Sequence, residues 1–236
     1  MTLLTTNTHK IDLSKGKEVQ EAVLYLSPAL ESVPYGGFNT CPSHGACAAV
    51  CLGNTSGLMV TQRAKEARIA RTNMYRYYQD QFMEQLKTEL TKHYKKAIKQ
   101  GYTPAFRFNG ASDLYVPARH IAEWAQRALP KLKCYDYTKV WQNLFTNRPR
   151  NYTLVYSFNE WQGSKDAAEE YLQCQGNVAV TFQVKKNDKL PKEWNGYRVI
   201  DGDLSDARFK DPKGVVVGLR AKGKARIPGN PLVVIQ

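Results

Sequence analysis

The sequence lacks several features that would settle its class at once. No apolar stretch approaches the ~20 residues of a membrane-spanning helix, so no membrane span is expected. The first residues, MTLLTTNTHKIDLSKGKEV, lack a basic stretch followed by an apolar one. No secretory signal is therefore expected, and the protein is expected in the cytoplasm. There are only five cysteines, an odd number. That count does not suit a disulfide framework, and it fits free thiols or metal ligands better. No internal repeat and no low-complexity linker interrupts the 236 residues. Acidic residues are scarce, with 21 Asp and Glu against 34 Lys and Arg, which leaves a formal charge of +13. An excess of that size favours an anionic partner, either nucleic acid or a phosphorylated small molecule. A merely basic surface is the plainer reading.

What is present indicates a folded α/β protein. Hydrophobic residues make up 42% of the chain and aromatics 11%, which excludes a disordered composition. Residues 22–28 (AVLYLSP) read as a buried strand. Residues 29–57 are rich in Gly, Pro, Ser, Asn and Cys and read as a long ordered loop, and loops of that length in a compact domain are usually functional. Residues 58–100 repeat apolar positions at helical spacing without a proline. A strand–helix rhythm follows: strand 105–109, helix 116–129, strand 133–137, a short helix over 140–146, strand 152–158, helix 164–175, then strands 177–184, 197–201 and 214–219. Near-continuous apolar strands alternating with helices predict a mainly parallel sheet in one α/β domain. About seven strands leave a doubly wound sheet and a complete or partial β/α barrel both open. Residues 1–21 read as an N-terminal extension. Residues 22–236 read as the single domain, carrying a cysteine loop at 38–57.

Polar residues collect where strands end: Arg107, Asn109 and Asp113; Asp136, Tyr137 and Lys139; Ser157, Asn159 and Glu160; Asp201, Asp203 and Asp206; Lys222 and Lys224. Any one of them is most simply a helix cap or turn former. Five such clusters at the end of parallel strands where sites gather point to a shared site. Asp136 and Asp201 are candidate general bases, and Lys139 and Lys222 candidate acids or charge clamps. The remainder, Arg107, Asn109, Asp113, Tyr137, Ser157, Asn159, Asp203, Asp206 and Lys224, are candidate substrate contacts.

The most specific local feature is CPSHGACAAVCLG, in which Cys41, Cys47 and Cys51 are spaced C-x5-C-x3-C. Three thiolates so close in sequence can serve one metal centre. Zinc would need a fourth ligand, for which His44 is available, but the second C-x2-C pair of a zinc knuckle is missing. A 4Fe-4S cluster matches better, with three irons on the three thiolates and the fourth iron open or held from elsewhere. Cys134 and Cys174 read as a buried apolar side chain and a helix-end residue. Three clustered cysteines ahead of a barrel are loosely similar to radical S-adenosylmethionine enzymes, which would make S-adenosylmethionine a possible co-substrate. The spacing departs from the C-x3-C-x2-C usual there, and no Gly-rich run follows the first strand.

Several stretches together resemble one known family. They are LYLSPA (24–29), CPSHGACAAVCLGNTSG (41–57), QRAKEARIARTNMY (62–75), RFNGASDL (107–114), YDYTK (135–139), NYTLVYSFNE (151–160), GNVAVTF (176–182) and VIDGDLSDARFKDPKGVVVGLRAKGKA (199–225). In this order they resemble the gene-product-88-like proteins of tailed bacteriophages. The resemblance implies a phage-encoded protein acting in the infected bacterial cell, and it carries no reaction with it. Its pattern falls on Cys41, Cys47 and Cys51 but not on Cys134 or Cys174, which implies three protein thiolates. The sequence thus leads to an iron–sulfur enzyme for a small polar or phosphorylated substrate. The alternative is a basic nucleic-acid-binding protein with a structural iron–sulfur or zinc site.

Overall fold

A computed structural model describes residues 1–6, 18–55, 57–227 and 229–234. Its centre is a sheet of parallel strands in which sequence neighbours are spatial neighbours. Strands β1 (Leu4–Thr5), β2 (Val19–Leu24), β3 (Thr103–Arg107), β4 (Lys133–Thr138), β5 (Tyr152–Ser157) and β6 (Asn177–Phe182) lie side by side in that order. Strands β7 (Glu193–Trp194), β8 (Tyr197–Asp201) and β9 (Val216–Arg220) complete the row as β6-β9-β8-β7, and β10 (Val233–Val234) adds parallel to β6. Among the described residues only β1 with β2 and β7 with β8 run antiparallel.

The expected parallel α/β architecture is therefore present, with ten strands among the described residues. Among the described residues the sheet is not closed, because β1 and β7 stand at its two edges without pairing to each other. A complete barrel is thereby corrected to an open sheet. The doubly wound alternative does not fit either. Its strand order reverses near the middle of the sheet, whereas here β2 to β6 advance in one direction, which places their right-handed crossover helices on one face, and the order turns back only at β8 and β9 near the edge.

That helical face holds the main core. Helices α1 (Cys47–Val50) and α2 (Leu52–Thr55) lie in the cysteine segment, followed by α3 (Gln62–Tyr77), α4 (Gln79–Lys99), α5 (Tyr115–Ala128) and α6 (Ser164–Gln173). Phe82, Leu86, Leu90 and Ala97 recur along one face of α4 and are buried. They join Ile121 and Ala125 of α5 and Ala168 and Leu172 of α6 against Leu24, Phe106, Leu154, Val178 and Val180 of the sheet. Side chains alternate along a strand, so the other face carries Val19, Ala105, Val155, Ala179 and Val217. No helix covers it. The segment containing the 3-10 turn Arg208–Lys210 lies there instead, packed on β4 and β5.

Three segments differ from expectation. The helix read over 58–100 is two helices, α3 and α4, parted at Tyr78, whose backbone is non-helical (φ −136°, ψ 51°). Neither Pro nor Gly marks the break. Instead α3 is tied to the preceding loop, since Asn73 and Tyr77 donate to the carbonyls of Tyr35 and Gly36, while α4 packs on the sheet. The cysteine segment, read as a loop, is partly helical through α1 and α2. Within residues 1–21, read as an extension, Leu4–Thr5 pairs with Val23–Leu24 and Leu3 is fully buried. Residues 7–17 of that stretch lie outside the described residues.

Candidate functional site

Because β2 to β5 are parallel, their C-terminal ends open on one side. The chain after β2 enters the cysteine segment there, and a cavity of about 180 Å³ lies between that segment and the strand ends. Cys41, Cys47 and Cys51 line it, together with Arg107, Asn109, Asp113, Tyr137, Lys139 and Ser157. His44, Ser43 and the Pro28–Ala29 turn complete one wall. Ten of the residues singled out from the sequence, His44 among them, therefore meet around one space.

The three thiols occupy different environments. Cys41 Sγ accepts a hydrogen bond from the Ala29 backbone N–H at 3.3 Å and lies 3.6 Å from the Ala111 carbonyl. Burial pushes its thiol above the ordinary value. Cys47 and Cys51 are close enough to shift each other in opposite directions. Cys51 lowers Cys47, with Lys139 and His44 acting in the same direction, and Cys47 raises Cys51. A thiolate is thus favoured at Cys47 by its thiol neighbour and two nearby nitrogen groups. Among the described residues, however, no group of three or more His, Cys, Asp or Glu side chains stands in metal-binding position. What the donor set offers is chemical: three sulfurs on one cavity, the ligand type of iron–sulfur clusters.

The segment is anchored from three directions. The buried Arg68 guanidinium on α3 grips Glu31 through Nε (3.0 Å) and Nη2 (2.7 Å), and its Nη1 donates to the Met59 carbonyl at 2.8 Å. Glu31 precedes the cysteines and Met59 follows them, so one side chain ties both ends. At the tip, the Ala46 N–H donates to Glu160 Oε1 at 2.6 Å. Gly45 beside it has φ +45°, and a Cβ there would collide with that carboxylate. On the outer side, Ala46, Cys47 and Val50 pack on Ala221, Leu232 and Val233.

The polar wall is built by the strand ends. Arg107 stacks on the Tyr137 ring, with the guanidinium carbon 4.8 Å from its centroid, and donates from Nε to the Asn109 carbonyl at 3.1 Å. Burial pushes the Tyr137 hydroxyl up to about 12, against the pull of Arg208 and Arg107. Asp113 accepts the Lys139 backbone N–H at 2.8 Å. Burial nevertheless raises its carboxyl to about 6, so it can hold a proton near neutrality.

The remaining candidates lie outside this lining. Asp136 is buried on the helical face of β4, where it accepts the Asn109 N–H at 2.7 Å and the Tyr152 hydroxyl at 3.0 Å. Burial raises it to about 7. It holds the β3–α5 turn in place beneath the cavity floor. Asn159 is buried in the turn after β5 and accepts the Trp161 N–H. Asp201 and Asp203 form an ion-pair cluster with Arg220 (2.9 and 3.0 Å), and Lys222 joins at Asp203 (2.5 Å). Asp206 interacts electrostatically with Arg107 and Tyr137. Lys224 is exposed in the 3-10 turn Gly223–Arg226. Cys134 is buried in the core and Cys174 is exposed at the end of α6, so neither reaches the cavity. The Glu31–Arg68 pair and the Ala29 donor were not read from the sequence. The first joins residues far apart in the chain, and a backbone N–H leaves no signal in residue type.

A family model described as Gene product 88 matches residues 1–229. The chain belongs to the Gene product 88 family. The match takes in the cysteine segment, every strand from β1 to β9 and the six α-helices of the described residues. The cavity is thus assembled wholly from the part matched to Gene product 88. No curated protein and no solved structure matches the chain.

Proposed function

We propose that this member of the Gene product 88 family is an iron–sulfur enzyme whose substrate, a small polar or phosphorylated molecule, enters the cavity at the ends of β2 to β5. The observation that carries the reading is the meeting of Cys41, Cys47 and Cys51 with Arg107, Asp113 and Lys139 on one cavity. Three cysteine sulfurs are the donor set of a 4Fe-4S cluster with one iron free of cysteine, and zinc is the alternative occupant. Sequential parallel strands with helices on one face fit an incomplete β/α barrel, in which sites lie at the C-terminal ends of strands.

When bound, such a cluster supplies an open iron as Lewis acid or electron donor. The protein's own residues do the rest. Arg107 and Lys139 offer positive charge to an anionic group. Asp113, raised to about 6 by burial, is placed to take or give a proton in the neutral range. The Asp201–Arg220–Asp203–Lys222 cluster lies outside the lining, and there it holds the end of β9 against β8.

Anaerobic reconstitution with iron and sulfide tests the reading. The expected result is a visible chromophore that survives gel filtration, is lost in Cys41→Ala and is kept in Cys174→Ala. Folded protein that takes up no chromophore, or that binds one zinc instead, overturns it. Titration with S-adenosylmethionine then decides the radical version, which fails if the cluster spectrum does not change.

A further inference from the structure

Two of the four tryptophans stand on the surface in a single stack. The rings of Trp141 and Trp161 are parallel within 2°, with centroids 6.1 Å apart. They are 36% and 50% exposed, whereas Trp124 and Trp194 pack against the core. Paired indoles left in water are unusual for a soluble surface, and contiguous exposed apolar groups mark contact sites.

Their position is specific. Trp141 begins the 3-10 turn after β4, two residues beyond Lys139, and Trp161 follows β5, four residues beyond Ser157. Lys139 and Ser157 line the cavity, so the stack rises from the same two strand ends. It is also held in place. The Trp161 N–H donates to buried Asn159 at 3.0 Å, and its ring lies so close over Gly163 that a Cβ there would collide with it. Glu160, between Asn159 and Trp161, is the residue bonded to Ala46 of the cysteine segment. The platform and the cysteine wall are therefore tied to each other.

A flat apolar face beside a cavity carrying Arg107 and Lys139 has the two halves needed for a nucleotide: a surface for the base and cations for the phosphate. We propose that the ligand of this cavity is a nucleotide unit, its base stacked on the Trp141–Trp161 face and its phosphate held by Lys139 and Arg107. This rests on the reading of the cavity as a substrate site but not on a cluster. The +13 charge accords with an anionic ligand. The same chemistry is offered by a free mononucleotide and by one nucleotide within a single strand.

The test is tryptophan fluorescence of the full chain titrated with adenosine, adenosine 5′-monophosphate, a short single-stranded oligonucleotide and a neutral oligosaccharide. Saturable quenching by the monophosphate, tighter than by adenosine, supports a free nucleotide. Saturation by the oligonucleotide alone supports a single strand. Trp161→Ala weakens binding about five-fold or more, the range of one stacked base, and Trp161→Phe restores most of it. Lys139→Ala narrows the preference for the monophosphate over adenosine, since Arg107 remains to hold the phosphate. No saturation with either phosphorylated ligand, equal binding by Trp161→Ala with unchanged circular dichroism, or equal binding of the oligosaccharide overturns the proposal. Iron content, measured on the same sample, moves independently, so loss of the cluster reading and loss of this one are separate results.

Discussion

Replacing Arg68 with alanine should be among the most damaging single changes in the helical layer. Arg68 is 2% exposed and Glu31 8% exposed, and the guanidinium meets the carboxylate with two donors while a third serves the Met59 carbonyl. Removing it leaves a carboxylate and a carbonyl buried without a partner. Breaking a buried pair from one side costs about 3–5 kcal/mol. For a chain of this size that corresponds to a fall in melting temperature of about 6–20 °C. Because the same side chain ties residues on both sides of the cysteines, Cys41 should also react faster with a thiol reagent, and at temperatures below the global transition. The double variant Arg68→Met with Glu31→Leu should recover part of the loss, since apolar replacement of both partners leaves no orphaned charge. Thermal melts followed by circular dichroism give the first number, and labelling rates give the second. A melting temperature within about 2 °C of the parent, or Cys41 labelling that does not change, would refute the strap.

Three other changes bear on separate links. Asp136 is raised to about 7 from an ordinary 3.8, so the folded state prefers it protonated. Its contribution is complete below pH 3.8 and is lost as pH rises through 7. Asp136→Asn should therefore become progressively more stable relative to the parent across that window in paired denaturant titrations, and the opposite trend would refute the burial argument. Gly45→Ala should cost about 1–2 kcal/mol in thermal melts, from its left-handed backbone, because the Glu160 carboxylate that a Cβ would meet is the end of a flexible side chain and can swing aside; a neutral result would show the tip to be free to move. Leu3→Ala should cost about 2–5 kcal/mol, because Leu3 is wholly buried in the main core; a change under 0.5 kcal/mol, the surface range, would place the terminus outside it.

The strands were readable where apolar residues run together. AFRFN, YTLVYSF and NVAVTFQV fall on β3, β5 and β6 within two residues at either end. The short pairings were not readable: Leu4–Thr5 and Val233–Val234 are two residues each and carry no period. The break at Tyr78 was hidden because it comes from two helices serving different neighbours, not from a local breaker. Whether the sheet closes was also hidden, since closure depends on which edges pair. Arg208 shows the same limit from the polar side. Its type predicts exposure, yet it is 1% exposed against the face of the sheet opposite the α-helices, paired with Asp211 at 3.3 Å. The grouping of strand-end residues was legible because parallel topology brings those ends together. It failed for Asp136, whose place one step inside the strand turns it to the helical face, and for Asp201 and Asp203, which find Arg220 first.

The central claim is that Cys41, Cys47 and Cys51 hold an iron–sulfur cluster at the cavity, and metal analysis of anaerobically purified protein tests it most directly. The account predicts about four irons and four sulfides per chain, both lost in Cys41→Ala. One zinc per chain, or no metal in folded protein, would contradict it.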